Sequence, residues 1–323
     1  AQFCAVELLK NGYNVRGSLR DMSRQEEVVN AISKEIDPKD NLTFCKLDLL
    51  DDEGWNDAMK DCSYVMHIAS PFVIASQKNE DDLIKPAVDG TLRALKAADK
   101  AGIKRFVITS SLVSIFSHLK TGKCTPETWT DLSDSELTAY QKSKTLAEKA
   151  AWDYIKNSNS KMELTSVNPG AVLGPTLSDD IYGESLNICV ELLTGKMPGI
   201  PNLSIPMVDV RDVATHHFKA MTVKEAKNKR YISALSTPTP FMEFAKTLSK
   251  NGFKVPTKKV PTLLLKFLSI FDRKARGMVP ILDRYVECDN SATIKDFNLQ
   301  PIPLEQTFID MANSVQAVLN KKN

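Results

Sequence analysis

The sequence predicts an α/β fold, a parallel β-sheet wound on both faces by helices with a smaller lobe after it, and two observations carry the prediction. Short apolar runs alternate with amphipathic segments through the first half of the 323-residue chain, and each intervening segment is long enough for a crossover between parallel strands. After Pro169 the pattern changes, with Gly and Pro clustered at 169–175 and again at 195–206.

The elements follow in order. Residues 1–10 read as a helix stopped by Asn11-Gly12, because glycine takes the left-handed conformation that ends helices. Residues 13–19, 42–47, 63–69, 105–110 and 162–168 read as strands, being short and rich in β-branched, aromatic and other apolar side chains. Helical periodicity fills 22–36, 51–60, 80–101 and 135–158,. In the second half a helix is expected at 179–194, strands near 205–210 and 229–233, and helices near 238–250, 261–276 and 303–320. A doubly wound sheet places a strand and a Gly-rich turn before its first helix, whose N-terminus receives a phosphate. Neither precedes the first helix here, so the domain is expected to lack that strand and turn.

Composition is that of an ordinary soluble globular protein, with 42% hydrophobic and 25% charged residues,. The 42 basic and 40 acidic residues nearly cancel, which leaves no electrostatic case for nucleic acid or a membrane surface as the main partner. The six cysteines are scattered, with no C-x-x-C pair and no His/Cys cluster at zinc spacing. They read as reduced thiols in a reducing compartment, and no metal is expected. No run approaches the roughly 20 apolar residues of a membrane span, and nothing at the start resembles a signal peptide, so the cytoplasm is the expected location. His216 and His217 are adjacent on a helical segment and point about 100° apart, a poor metal pair that reads as structural. His67 reads as core.

The chemistry starts from Tyr140 and Lys144, one helical turn apart on one face of the 135–158 segment,. An ammonium beside a phenol stabilises the phenolate and lowers a pKa otherwise about 10, which suits a proton donor for carbonyl reduction. In a chain with seven tyrosines the spacing alone is weak evidence. Upstream, the strand ending in Val107, Ile108 and Thr109 delivers the Ser110 and Ser111 hydroxyls to its carboxyl end, the edge where ligands of open α/β sheets bind. A serine there can hold a carbonyl oxygen and stabilise the charge that grows on it.

As an ordered set, residues 107–111, Tyr140 with Lys144 and the following 145–152, and the run Asn168-Pro169-Gly170-Ala171-Val172-Leu173-Gly174-Pro175 resemble the extended short-chain dehydrogenase/reductases. The similarity is greatest to the branch of dihydroflavonol 4-reductase, cinnamoyl-CoA reductase and related NADPH-dependent aldehyde and ketone reductases, and it runs from Ala1 to about Asn313. The resemblance implies a Rossmann-type fold, with residues 1–170 as the dinucleotide-binding domain and 171–323 mainly as a substrate-binding lobe, some segments returning to the main domain. It implies that Ser111, rather than Ser110, holds the substrate carbonyl and that Tyr140 donates the proton. Lys144 would bind the nicotinamide ribose and depress the tyrosine pKa. Arg20, with Arg24 four residues on, favours the 2′-phosphate of NADP over NAD, since a 2′-hydroxyl is read by an acid. Asp48 and Leu49 would lie beside the adenine, Ala69, Ser70 and Pro71 along the pyrophosphate and ribose, and Pro169, Gly170 and Val172 against the nicotinamide.

Where the chain departs from its relatives, it narrows the substrate. Dihydroflavonol reductases carry an asparagine where this chain has Phe116, and the signature of cinnamoyl-CoA reductases around the tyrosine is replaced by residues 136–140. Ile181, Tyr182, Leu186, Met207 and Phe267 are pocket candidates that read equally well as lobe core, and Trp129 reads as structural. The expectation is an NADP-dependent oxidoreductase acting on a small-molecule carbonyl substrate, as a monomer or homodimer. A nucleotide-sugar epimerase or dehydratase of the same fold, or a non-catalytic dinucleotide-binding sensor or interaction protein, stands as the alternative.

Overall fold

The computed structural model describes residues 1–70 and 79–322. Its first half runs α1 (Gln2–Lys10), β1 (Val15–Leu19), α2 (Gln25–Ser33), β2 (Leu42–Lys46), α3 (Trp55–Met59), β3 (Tyr64–His67), α4 (Asp81–Lys100) and β4 (Arg105–Thr109). It continues through α5 (Val113–Phe116), β5 (Thr121–Cys124), α6 (Ala139–Asn157) and β6 (Glu163–Pro169). The second half contains β7 (Ala171–Leu173), α7 (Glu184–Leu193), β8 (Ser204–Ile205), β9 (Met207–Asp209), α8 (Val210–Thr222) and β10 (Arg230–Ser233). Then come β11 (Thr239–Pro240), α9 (Phe241–Lys250), α10 (Thr262–Leu268), α11 (Arg273–Met278), β12 (Tyr285–Cys288), α12 (Ser291–Phe297) and α13 (Leu304–Lys322).

The central sheet is parallel, in the order β10-β6-β4-β3. Alternation along β4 assigns its two faces. Phe106 and Ile108 pack with Leu95 and Ala98 of α4, Ala151 of α6 and Leu164. Val107 packs the other way, with Ala220 and Met221 of α8, Tyr231 and Phe297. Helices therefore cover both faces, as the apolar runs of β4 and β6 require of a sheet buried on both sides. One arginine ties this unit together: Arg105 forms an ion pair with Glu163 at 2.6 Å and also donates to the carbonyls of Ala220 and Met221 at the end of α8 and of Val223 just after it, completing acceptors that the helix leaves open.

Strands β1 and β2 form a separate parallel pair with no ladder to the central sheet among the described residues. The chain enters α1 at Gln2. From β7 onward a second apolar cluster gathers Leu173, Leu192, Met207, Phe244, Leu248, Phe308 and Val315. Strand β10 nevertheless returns to the central sheet, pairing Tyr231 with Val167 of β6.

Several expected elements are shorter than the periodicity suggests. The segment 22–36 opens with a 3-10 turn at Met22–Arg24, capped by the Asp21 carboxylate, and only Trp55–Met59 of 51–60 is α-helical. The expected 179–194 helix begins at Glu184, after Gly183. The 261–276 helix is two helices, α10 and α11, since Asp272 caps a new start by accepting from the Ala275 amide. The parallel pair of β5 with β12 has no counterpart in the expected elements, because two short strands far apart in sequence leave no local signature.

Candidate active site

Helix α6 begins with a capping box, Thr138 and Gln141 each bonding the other's backbone N–H, which fixes its first turn and therefore the direction of Tyr140. The four strands of the central sheet run parallel and so end on one side, and α6 packs on one face of that sheet through Ala151, beside α4. The hydroxyl of Ser111, just beyond β4, is hydrogen-bonded to the Tyr140 phenol and holds its pKa down. Burial outweighs that bond and pushes the phenol up to about 12. The expected lysine-induced depression of Tyr140 is thus not present in the protein alone, since desolvation of the phenolate is the larger effect. Lys144 is itself buried, and desolvation pulls its pKa down to about 8 against the opposing pull of Glu148.

Ser110, the neighbouring hydroxyl, faces elsewhere. It donates to Glu148 at 2.5 Å, one turn beyond Lys144 on α6. Glu148 is wholly buried and also accepts from Ser114 at 2.6 Å, Ser166 at 2.8 Å and Asn168 at 2.8 Å. Arg230 of β10 closes the cluster with an ion pair at 2.7 Å. Its guanidinium lies 3.7 Å from the centroid of the Trp129 ring and donates to the carbonyls of Pro126 and Thr128. Burial opposes ionisation of Glu148, but the Arg230 guanidinium together with the Ser110 and Ser114 hydroxyls overcomes it and pulls the carboxyl pKa down to about 2. This cluster ties the residues just after β4, Ser166 and Asn168 of β6 and the first residue of β10 to α6, and so braces the helix that carries Tyr140 against the strand that leads to Ser111. Sequence reasoning passed over Glu148 and Arg230 as functional residues. The signal for Glu148 is its place four residues after Lys144, on the same helical face.

The histidines are structural. His67 is buried near Lys144, and desolvation lowers its pKa to about 4. His216 bonds Ser233 at 2.7 Å and His217 bonds Thr109 at 2.6 Å. Among the described residues no group of three or more His, Cys, Asp or Glu side chains is arranged to hold a metal ion.

The other expected contacts divide. Arg20, at the end of β1, is exposed and makes no hydrogen bond or ion pair among the described residues. Arg24 is instead committed, at 2.9 Å to Glu27 and 2.6 Å to Asp180, because the 3-10 turn points it along α2 toward the second lobe. Asp48 accepts from the Leu50 amide at 3.0 Å, and Leu49 packs on Gly90 while its carbonyl accepts from Arg93. Ala69 and Ser70 follow β3, the former exposed, and Pro71 lies outside the described residues. Pro169 is buried, and Gly170 and Val172 sit where β6 turns into β7. Of the pocket candidates, Ile181 and Met207 are buried and Leu186 packs on the second-lobe cluster. Tyr182 and Phe267 are 78% and 59% exposed, so they are not lobe core.

A doubly wound parallel sheet with a serine, a tyrosine and a lysine gathered at its carboxyl edge defines the dinucleotide-dependent oxidoreductases of Rossmann type. Residues 2–233 match the NAD dependent epimerase/dehydratase family, and the chain belongs to that family. It is 33% identical over 273 residues to an anthocyanidin reductase of Vitis vinifera, covering 79% of this chain and 78% of the relative. It is 34% identical over 257 residues to an NADPH-dependent methylglyoxal reductase of Saccharomyces cerevisiae, covering 72% and 74%. The crystal structure of the yeast methylglyoxal/isovaleraldehyde reductase complexed with NADPH superposes with a TM-score of 0.80 at 26% identity, covering 99% of this chain and 96% of that one.

The residues present fit such a cofactor. Lys144 is a buried ammonium with no hydrogen-bond partner among the described residues. A buried donor of that kind is costly unless something accepts from it, and ribose hydroxyls supply acceptors. Arg20 offers an exposed guanidinium with no hydrogen bond or ion pair among the described residues, just after β1, where a 2′-phosphate is read.

Proposed function

We propose that the protein reduces the carbonyl of an aldehyde or ketone to an alcohol, with NADPH as the reductant and Tyr140 as the proton donor. The observation that carries this reading is the hydrogen bond between Ser111 and Tyr140, one helical turn from the buried Lys144 ammonium, which has no hydrogen-bond partner among the described residues. The activities of the relatives, a methylglyoxal reductase and an anthocyanidin reductase, support the same class of chemistry.

When bound, NADPH supplies hydride to the carbonyl carbon. The protein does the rest. Ser111 donates to the carbonyl oxygen and orients it, and its bond strengthens as negative charge grows there. Tyr140, with a pKa near 12, is fully protonated at neutral pH and gives its proton to that oxygen, which is far more basic once the carbonyl is reduced. Lys144 holds the ribose hydroxyls and stabilises the phenolate left behind. Arg20 pairs with the 2′-phosphate, with Asp48 and Leu49 beside the adenine. Residues 1–170 carry the cofactor, and 171–323 supply most of the substrate lobe and a strand that returns to the sheet. The protein acts in the cytoplasm as a monomer or homodimer.

The test is consumption of NADPH, and of NADH in parallel, across a panel of aliphatic and aromatic aldehydes and ketones. Tyr140→Phe is expected to lower kcat by about 10²-fold or more, the usual contribution of a placed acid. Failure to oxidise NADPH with every carbonyl, or a Tyr140→Phe variant as active as its parent, overturns the reading.

A further inference from the structure

The formal charge of the whole chain, +2, hides a local concentration. From Phe253 to Pro280 seven basic residues face the single acid Asp272, a local charge of +6. Lys254, Lys258, Lys259 and Lys266 are exposed and make no ion pair among the described residues.

The same segment holds most of the large apolar side chains that the fold leaves outside. Leu263, Leu264, Phe267, Leu268, Ile270 and Phe271 are between 42% and 81% exposed. Their spacing of three, four and seven residues puts them on one side of α10 and the turn after it, while Leu265 and Ser269 are turned inward and half-buried. Soluble proteins do not ordinarily leave so contiguous a patch in water.

The segment is held at its two ends. Val260 donates to the Ile200 carbonyl at 2.9 Å, and Asp283 returns to Asn202, accepting from its side chain at 2.6 Å. Between these anchors the chain makes an excursion stiffened internally by Arg276, which donates to the carbonyls of Ser269 and Ile270 at 2.9 and 2.7 Å. It is a firm arm that presents Leu and Phe outward, with lysines around them.

We propose that this arm docks the protein on an anionic lipid bilayer surface, its apolar side chains entering the headgroup boundary and its lysines pairing with lipid phosphates and carboxylates. Charge decides among the occupants. A second copy meeting the same patch across a two-fold axis brings +6 against +6, whereas an anionic bilayer meets both the charge and the apolar stripe. The arm is too short to span and lies in the interface. The proposal is independent of the reductase chemistry.

The probe is co-sedimentation of the full chain with vesicles of phosphatidylcholine containing about 30% phosphatidylserine, with phosphatidylcholine alone as the comparison. Binding is expected on the anionic vesicles, weaker on the neutral ones, and reduced by added salt. Leu263→Ser with Phe271→Ser, and separately Lys258→Gln with Lys259→Gln, are each expected to reduce partitioning about tenfold, with thermal midpoints unchanged because all four side chains are exposed. No binding to anionic vesicles, or binding that survives the Leu263/Phe271 change, overturns the proposal. So does an ultracentrifugation result in which that change splits a dimer while vesicles bind neither form.

Discussion

Replacing Arg230 with Met tests whether the buried Glu148 cluster is electrostatic in origin. Glu148 is wholly buried, and its pKa falls from 4.5 to about 2 in the folded protein. A depressed carboxylate pKa contributes stability that is present above about 4.5 and is lost as pH falls through about 2. A shift of this size corresponds to roughly 3 kcal/mol, and breaking one side of a buried pair costs about 3–5 kcal/mol; the two figures agree. In Arg230→Met the carboxylate keeps its hydroxyl and amide donors but loses its cation and the guanidinium stacked on Trp129. Burial then raises its pKa above the unfolded value, so the charged form is penalised until it protonates. The loss of stability is therefore expected to be about 3–5 kcal/mol at pH 7 and smaller at pH 5. Adding Glu148→Gln removes the orphaned charge and is expected to recover part of the loss. Urea unfolding of the two variants and the parent, followed by tryptophan fluorescence at both pH values, measures this. A deficit below about 1 kcal/mol, or one equal at the two pH values, refutes the reasoning.

The remaining predictions are narrower. Lys144 titrates near 8 in the free protein and works as an ammonium, so kcat/KM for NADPH should fall as pH rises through about 8; a flat profile from neutral pH to about 10 contradicts it. Gly170→Ala places a Cβ 2.2 Å from the Pro206 carbonyl oxygen and 3.0 Å from the Ala234 Cβ, and β7 is pinned there by the Ala171 amide donating to Pro206 at 2.9 Å. Overpacking of about 1–3 kcal/mol should appear as a lower Tm, and an unchanged melting curve counts against the close approach. Arg20→Ser should raise KM for NADPH about tenfold and leave NADH nearly untouched, whereas Arg24→Ala, losing an arginine already held by Glu27 and Asp180, should do less. Equal effects of the two arginines on both cofactors would remove Arg20 from the phosphate site.

The fold was legible where the local signal was strong. Five strands of the first half fall within a few residues of their expected runs; β4 and β6 are buried on both faces and read as near-continuous hydrophobicity,, while β1 and β2 alternate between half-buried and exposed positions along most of their length,. Helix α6 was legible from its long periodicity, but its start at Ala139 rather than residue 135 is set by the Thr138/Gln141 capping box, which periodicity does not register. The divided 261–276 helix was less visible, because Asp272 acts through a cap that amphipathic periodicity does not register. Tyr182 and Phe267 show the reverse failure: hydrophobicity marks a residue as able to be buried and does not say that anything covers it.

By itself the sequence determined the class of fold, the family likeness and the chain positions of Ser111, Tyr140 and Lys144, since each rests on residue type and spacing. Only the tertiary structure decided which hydroxyl turns toward Tyr140 and which toward Glu148, and that Arg24 is held by Glu27 and Asp180. It also decided that the Tyr140 phenol stands near 12 in the protein alone. These outcomes depend on desolvation and on partners far apart in the chain, Arg230 lying 82 residues beyond Glu148, and neither quantity exists until the chain has folded.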